Sequence, residues 1–415
     1  MKSKFFYGVL SLTLLVGFIL AQAQPADAIA AWGRKYSVSC SACHRGQWDL
    51  NKDGQEFLRR GHRYEQEKAG PNVNEHLSFS TKFRVKYSET SDPRSTFEHH
   101  AFAIYTGGAL TEQFSYFTEI YLHENAGKPA TNTQPESDDG GRTKLAEGFL
   151  QWTSSDGPQY NSVRVGQIMP SLIHRFGGGS RLSYARPLVL TTEDTATANR
   201  QAGYAFFSRD YGIEYSRKHD DVFFAAGLVN GGKGKASVFN STDTDNHRDW
   251  YATADYTYDD NGSMVGYYFY DGNVSKPSWA GTAGAVPSKF KRHAVMGNYI
   301  LDNYKLTGFW AWGERRFLDG GTKPKLKLYY GQIEAYDLEK YAKMSWPLSA
   351  YVRHEFIDYN KDNRASDIVR QNVAGLQIEP FEYGHVVIEW TGKRDQTSST
   401  VVDQNATVVE LQYLW

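Results

Sequence analysis

From residue 77 to residue 415 the chain alternates in short runs separated by turn residues. Successive side chains of a β-strand point to opposite faces, so this pattern dictates strands with two unlike surfaces. In the first run Phe79, Thr81, Phe83, Val85 and Tyr87 share one face, and Ser80, Lys82, Arg84 and Lys86 share the other. Trp250, Ala252, Ala254, Tyr256 and Tyr258 oppose Tyr251, Thr253, Asp255, Thr257 and Asp259. Near the end Gly384, Val386, Ile388 and Trp390 oppose His385, Val387, Glu389 and Thr391. About 16 such runs can be counted, an even number, as single-chain bacterial barrels require.

The connections alternate between short (107–111, 155–159, 218–220, 259–262, 302–303) and long (124–143, 231–247, 271–288, 392–404). Transmembrane barrels have short periplasmic turns and longer extracellular loops. A first strand rising from the periplasm puts every short link on that side. A soluble β-sandwich, the competing all-β architecture, has no reason to alternate in this way. The expected fold is therefore an all-β transmembrane outer-membrane barrel of antiparallel strands, with apolar faces toward lipid and polar faces toward the lumen. Composition agrees. Aromatics make up 15% of the chain, yet its mean hydropathy is −0.58, as expected where only alternate residues meet lipid. The last run places Val409, Leu411, Tyr413 and Trp415 on one face, and a terminal strand closing on an aromatic residue resembles the recognition signal of outer-membrane barrels. A formal net charge of −1 argues against a nucleic-acid partner.

Residues 1–28 read as an export signal. Lys2 and Lys4 precede an apolar run over 5–21, followed by Ala21-Gln22-Ala23 and Ala26-Asp27-Ala28. A single membrane helix is the other reading of that run. No later apolar stretch is long enough to cross a membrane as a helix.

Residues 29–76 form a small unit containing the only two cysteines, in Cys40-Ser41-Ala42-Cys43-His44. In C-x-x-C-H two thiols can form thioethers to one haem, and the following His is placed to ligate its iron. A dithiol redox pair would want a βαβ context, and a zinc site would want further ligands at finger spacing. Neither surrounds the motif. Asp49, Asn51, Asp53 and Gly54 mimic the start of a calcium loop, but its twelfth position is Arg60, where a bidentate Glu is needed. The stretch reads instead as a turn leading into a helix over 55–67, with Phe57, Leu58 and Gly61 near one side. So short a unit cannot bury a convincing core alone. Covalent haem and packing against the barrel would supply the rest, making this an α-helical haem domain that plugs the lumen.

Segment 168–207 breaks the rhythm and holds Met169, His174, Arg175, Arg181 and Arg186. A loop this long is functional or disordered. It either folds into the lumen against the haem unit or lies mobile at the surface.

The N-terminal unit resembles that of the fused monohaem cytochrome-porins, the outer-membrane Fe(II)-oxidising cytochromes of iron-oxidising bacteria. The matching positions are Arg34, Tyr36, Cys40, Cys43, His44, Leu50, Asn51, Gly54, Phe57 and Gly61. The resemblance implies one N-terminal haem c, ligated by His44, fused to an outer-membrane porin. It implies oxidation of extracellular Fe(II), as an Fe(II):cytochrome c oxidoreductase if an enzyme, with delivery to a periplasmic c-type cytochrome. For the distal iron ligand, His62 is the expected residue, on the predicted helix one turn after Leu58. Met169, His76 and an open or water-ligated site are alternatives. The same parts run in reverse would export electrons. The other class of function is a solute porin with an accessory haem plug, in which Lys82, Arg84 and Lys86 line an anion path. Asp138, Asp139, Asp243 and Asp245 of the long loops would attract cations or be merely solvated.

Overall fold

The computed structural model describes residues 30–46, 49–64, 77–90, 94–124, 144–154, 157–191, 206, 209–231, 247–274, 288–317, 323–362, 368–381, 384–396 and 401–414. The expected export signal lies outside them, as do His76, Asp138, Asp139, Asp243 and Asp245.

Sixteen antiparallel strands, from β1 (Leu77–Ser88) to β16 (Val402–Leu414), form a closed barrel in which each pairs with its neighbours in sequence. Closure runs through β1 and β16, with Ser80 opposite Leu414 and Ser88 opposite Ala406. A closed ring satisfies backbone donors and acceptors between strands and leaves no edge, which hydrocarbon surroundings demand. Among the described residues no helix is long and apolar enough to cross a membrane.

The alternation places side chains as expected. On β8 (Asp249–Thr257) Trp250 is 44% exposed and Tyr251 only 2%. On β1, Phe83 and Tyr87 face outward, and Ser78 and Ser80 are buried inward. On β15 (Gly384–Asp395), Ile388 and Trp390 face out, and His385, Val387 and Glu389 face in.

Some boundaries differ from expectation. β2 (Ser95–Ala109) continues through residues read as a turn, and β9 (Met264–Val274) and β15 each run four residues into stretches read as loop. Pairing with the neighbouring strand, which local composition does not report, extends them.

The lumen face is also less polar than expected. Tyr251, Tyr268, Ala294, Met296, Ala311, Leu326, Leu328 and Ile357 point inward and form one apolar cluster with Leu172, Ile173, Phe176, Val189 and Leu190. The latter five come after β5 (Gln159–Ile168) in the chain. The lumen wall is apolar because protein rather than water lies against it.

Candidate functional site

The C-x-x-C-H residues form a tight turn. The N–H groups of Cys43 and His44 both donate to the Cys40 carbonyl, at 3.1 and 2.9 Å. Asn51 ties this turn to the helix Lys52–Arg59. Its backbone N–H donates to the Cys43 carbonyl (2.9 Å), and its Nδ2 donates to the carbonyls of Ser41 (3.2 Å) and Ala42 (3.0 Å). Its Oδ1 accepts from the Gly54 N–H at 2.9 Å and so caps that helix. The turn leading into a helix is therefore observed. The helix itself starts three residues earlier than predicted and ends before Gly61 and His62, whose φ angles are +72° and +64°. His62 consequently sits beyond the helix, not on it. Gly54 is required by close approach: a methyl group there would overlap the Cys43 carbonyl.

This unit sits inside the barrel at the end that carries the short turns. Arg45 donates to the Asn261 carbonyl (3.2 Å), Arg60 to Gly157 (2.9 Å) and Arg63 to Glu112 (2.7 Å), and all three acceptors lie on such turns. Buried Arg59 pairs with Asp255 at 2.6 Å, and Lys218 with Glu56 at 2.8 Å.

The chain after β5 folds into the lumen from the opposite end. A short helical turn (Ser171–Ile173) leads into a wide turn (His174–Gly178). Tyr330 donates to the Phe176 carbonyl (2.7 Å), the Val189 N–H to Glu355 (3.1 Å), and Arg353 to Ser183 (2.7 Å). Of the two readings of segment 168–207, its described part 168–191 thus takes the lumen reading.

Asp49 joins all three parts. Ser180 donates to its Oδ1 (3.1 Å), Tyr336 to its Oδ2 (2.9 Å), and Lys305 lies at 2.5 Å, with Arg175 at 3.9 Å. Burial alone would raise this carboxyl. The charges of Lys305 and Arg175, with hydrogen bonds from Lys305 and Tyr336, outweigh burial and hold it down at about 2.

Between plug and insert lies a cavity with about 1320 Å³ of empty volume, part of it open to solvent. Cys40, Cys43, His44, His62 and Met169 all line it, so the sequence-predicted site residues are brought together. Trp32, Tyr36, Leu50, Phe57, Leu58 and Phe117 make its apolar wall. His62 is stacked between Trp32 (4.9 Å between centroids) and Phe117 (4.0 Å). Five cationic side chains, Lys82, Arg164, Arg181, Arg186 and Arg209, and two carboxylates, Glu119 and Glu147, line the cavity as well. Arg209 pairs with Glu119 at 2.9 Å, and Arg164 with Glu214 in the wall behind at 2.8 Å.

Neither cysteine is in a disulfide. Burial pushes the Cys43 thiol up, against a 3.3 Å hydrogen bond with the Tyr64 hydroxyl. Burial takes His44 down to about 4, opposed by Asp49. His174 falls to about 3 through burial and then Arg209, Arg181, Arg186 and Arg175, so both imidazoles are neutral at pH 7, the form that binds metals. Burial and then Arg181 and Arg209 lower Arg186 to about 9. The Nδ1 atoms of His44, His62 and His174 are buried without a hydrogen-bond partner.

These residues fit a haem c. Two thiols outside any disulfide and an imidazole meet an aromatic-walled space, and the guanidinium groups that line it match a ligand with two carboxylates. Among the described residues no cluster of three or more His, Cys, Asp or Glu is arranged to hold a bare metal ion. The sequence reading missed Asp49, Arg164 and Arg209 as members of this site.

No family model matches the chain, and no curated protein matches it. Solved barrels do. OmpT of Vibrio cholerae superposes with a TM-score of 0.55 at 11% identity, covering 84% of this chain and 100% of that one. An anion-selective porin from Comamonas acidovorans gives 0.56 at 11%, covering 82% and 98%. The outer-membrane channel DcaP of Acinetobacter baumannii gives 0.55 at 12%, covering 82% and 96%. At such identities the likeness is one of fold. The chain is a closed sixteen-strand antiparallel barrel resembling outer-membrane porins, which points to the outer membrane.

Proposed function

We propose that this chain is an outer-membrane electron-transfer barrel that holds one covalent haem c in its lumen, takes electrons from extracellular Fe(II) and passes them to a periplasmic c-type cytochrome. The observation that carries the proposal is the convergence of Cys40, Cys43 and His44 on one aromatic-walled cavity between plug and insert. Fe(II) as donor rests on the resemblance of residues 34–61 to the monohaem cytochrome-porins.

In this reading Cys40 and Cys43 carry the covalent attachment and His44 the proximal bond. When bound, a haem c supplies a one-electron iron couple whose potential is set by ligands, hydrogen bonds and burial. Trp32, Phe57, Leu58 and Phe117 exclude water from the site, which lowers the local dielectric. The cavity's cations balance the carboxylates of the group. The plug faces the periplasm, where a soluble carrier docks, and the insert faces outward.

A solute porin is the second reading, favoured by the likeness to porins and by the excess of cations around the cavity, as an anion path needs. Plug and insert filling the lumen weigh against it. A barrel of this size conducts only if its interior is open.

One experiment separates the two. In a planar bilayer the holoprotein is expected to conduct poorly compared with an open sixteen-stranded porin, and in solution Fe(II) is expected to convert its oxidised spectrum to the reduced one. Porin-like conductance with a haem that dithionite reduces and excess Fe(II) never does, across pH, sinks the electron-transfer reading from iron.

A further inference from the structure

We propose, resting on the haem reading above, that His174 of the lumen insert is the sixth iron ligand, and that Arg181 and Arg186 of the same insert receive the haem carboxylates. A macrocycle attached through Cys40 and Cys43 meets His44 on one face only, because His44 adjoins Cys43. Its other face must be met by a different element. Besides His44, the imidazole and thioether side chains that line the cavity are His62, Met169 and His174.

They are placed differently. His62 is 8% exposed, its ring is wedged between Trp32 and Phe117, and its backbone N–H is bonded to the Phe57 carbonyl at 2.9 Å, so the ring is fixed in place. That ring is part of the aromatic wall. Met169 is 2% exposed and packs in the apolar cluster with Leu172, Ile173 and Phe176, its sulfur beside Gly178. His174 has neither kind of neighbour. Among the described residues no ring stacks on it, and its imidazole lies across the backbone of Gly179, where a methyl group would overlap it. Both residues line the cavity. Its Nδ1, like those of His44 and His62, is buried without a partner. The turn it opens kinks at Phe176 and Gly177, where the φ of Gly177 is +102°.

The two histidines are held in fixed relation by consecutive links. His44 and Leu50 form an antiparallel bridge. The Leu50 N–H donates to Ser180 Oγ at 2.9 Å, and the Ser180 N–H donates to the His174 carbonyl at 2.9 Å. Plug and insert are thus registered to each other beside the cavity that both histidines line. Arg181 and Arg186 line the same cavity as His174, so one element brings an imidazole and two guanidinium groups. A ligand with a metal centre and two carboxylates needs that set.

The test uses full-length oxidised holoprotein in detergent, read by near-infrared magnetic circular dichroism and electron paramagnetic resonance. Wild type is expected to be low-spin with the bis-histidine band. His174→Ala is expected to retain covalent haem, become high-spin, and regain the low-spin signature with added imidazole. His174→Met is expected to replace the bis-histidine band by a histidine–methionine band and raise the potential. His62→Phe and Met169→Leu are expected to keep the wild-type band. A bis-histidine band that persists in His174→Ala, or that is lost in His62→Phe instead, overturns the assignment, as does a wild-type methionine band lost in Met169→Leu. Should His174→Ala fail to assemble, His174→Met decides alone: an unchanged bis-histidine band there refutes the proposal. Wild-type protein with no haem defeats the parent reading, whereas stained protein with an unaltered His174→Ala spectrum defeats only this one.

Discussion

Replacing Cys40 and Cys43 together by alanine is expected to abolish haem staining of the denatured chain and leave the barrel folded. No other cysteine exists to take over the attachment. The barrel closes through sixteen strand pairings in which neither thiol takes part. The plug is also held independently of them, by Arg59 on Asp255 and by Arg45, Arg60 and Arg63 on the short turns. Heat-modifiable gel mobility should therefore persist while the stain and the visible spectrum vanish. Staining that survives the double substitution removes the basis for a haem c.

Asp49→Ala is expected to cost about 3–5 kcal/mol, the range for breaking a buried ion pair by removing one partner. The substitution strands Arg175, whose described ion-pair partner is Asp49, and leaves Lys305 with Glu334 at 3.3 Å. It also removes the acceptor for Ser180 and one of two acceptors for Tyr336, whose hydroxyl keeps Glu334 at 2.6 Å. The loss falls on the contact between plug, insert and wall, not on strand pairing. Hydrogen exchange should quicken in residues 40–60 and 171–186 while the strands stay protected, and bilayer conductance should rise. Equal protection in variant and wild type contradicts this role. Acid tests the same group. Its pKa is depressed from 3.8 to about 2, so the stability it gives is complete above pH 4 and lost as pH falls through 2. A shift of that size corresponds to roughly 2 kcal/mol. Asp49→Asn should flatten that part of the acid response.

Features were legible in the sequence to the degree that their causes are local. Period-two alternation is a property of a strand's own backbone, so Trp250 outward and Tyr251 inward could be read directly. The cysteines and His44 lie within five residues, and their chemistry travels with that spacing. Strand ends were less legible, because β9 reaches Val274 by pairing with a strand beyond a long loop. The helix was drawn too late and too long because the Asn51 cap and the left-handed turn at Gly61 and His62 outweigh the apolar pattern. Asp49 looked like part of a calcium loop. Its partners Lys305 and Tyr336 lie 256 and 287 positions away, where no motif reaches. His174, Arg181 and Arg186 were visible as residue types in a long connection, but only the fold puts them on the cavity of Cys40 and Cys43.

The most direct measurement is the haem content of full-length wild-type protein, purified from the outer membranes of a host that attaches haem c. Intact mass and the pyridine haemochrome spectrum are read on the same sample. The account predicts one haem per chain, retained after denaturation. A chain of polypeptide mass alone, folded as a barrel and carrying no haem, contradicts it.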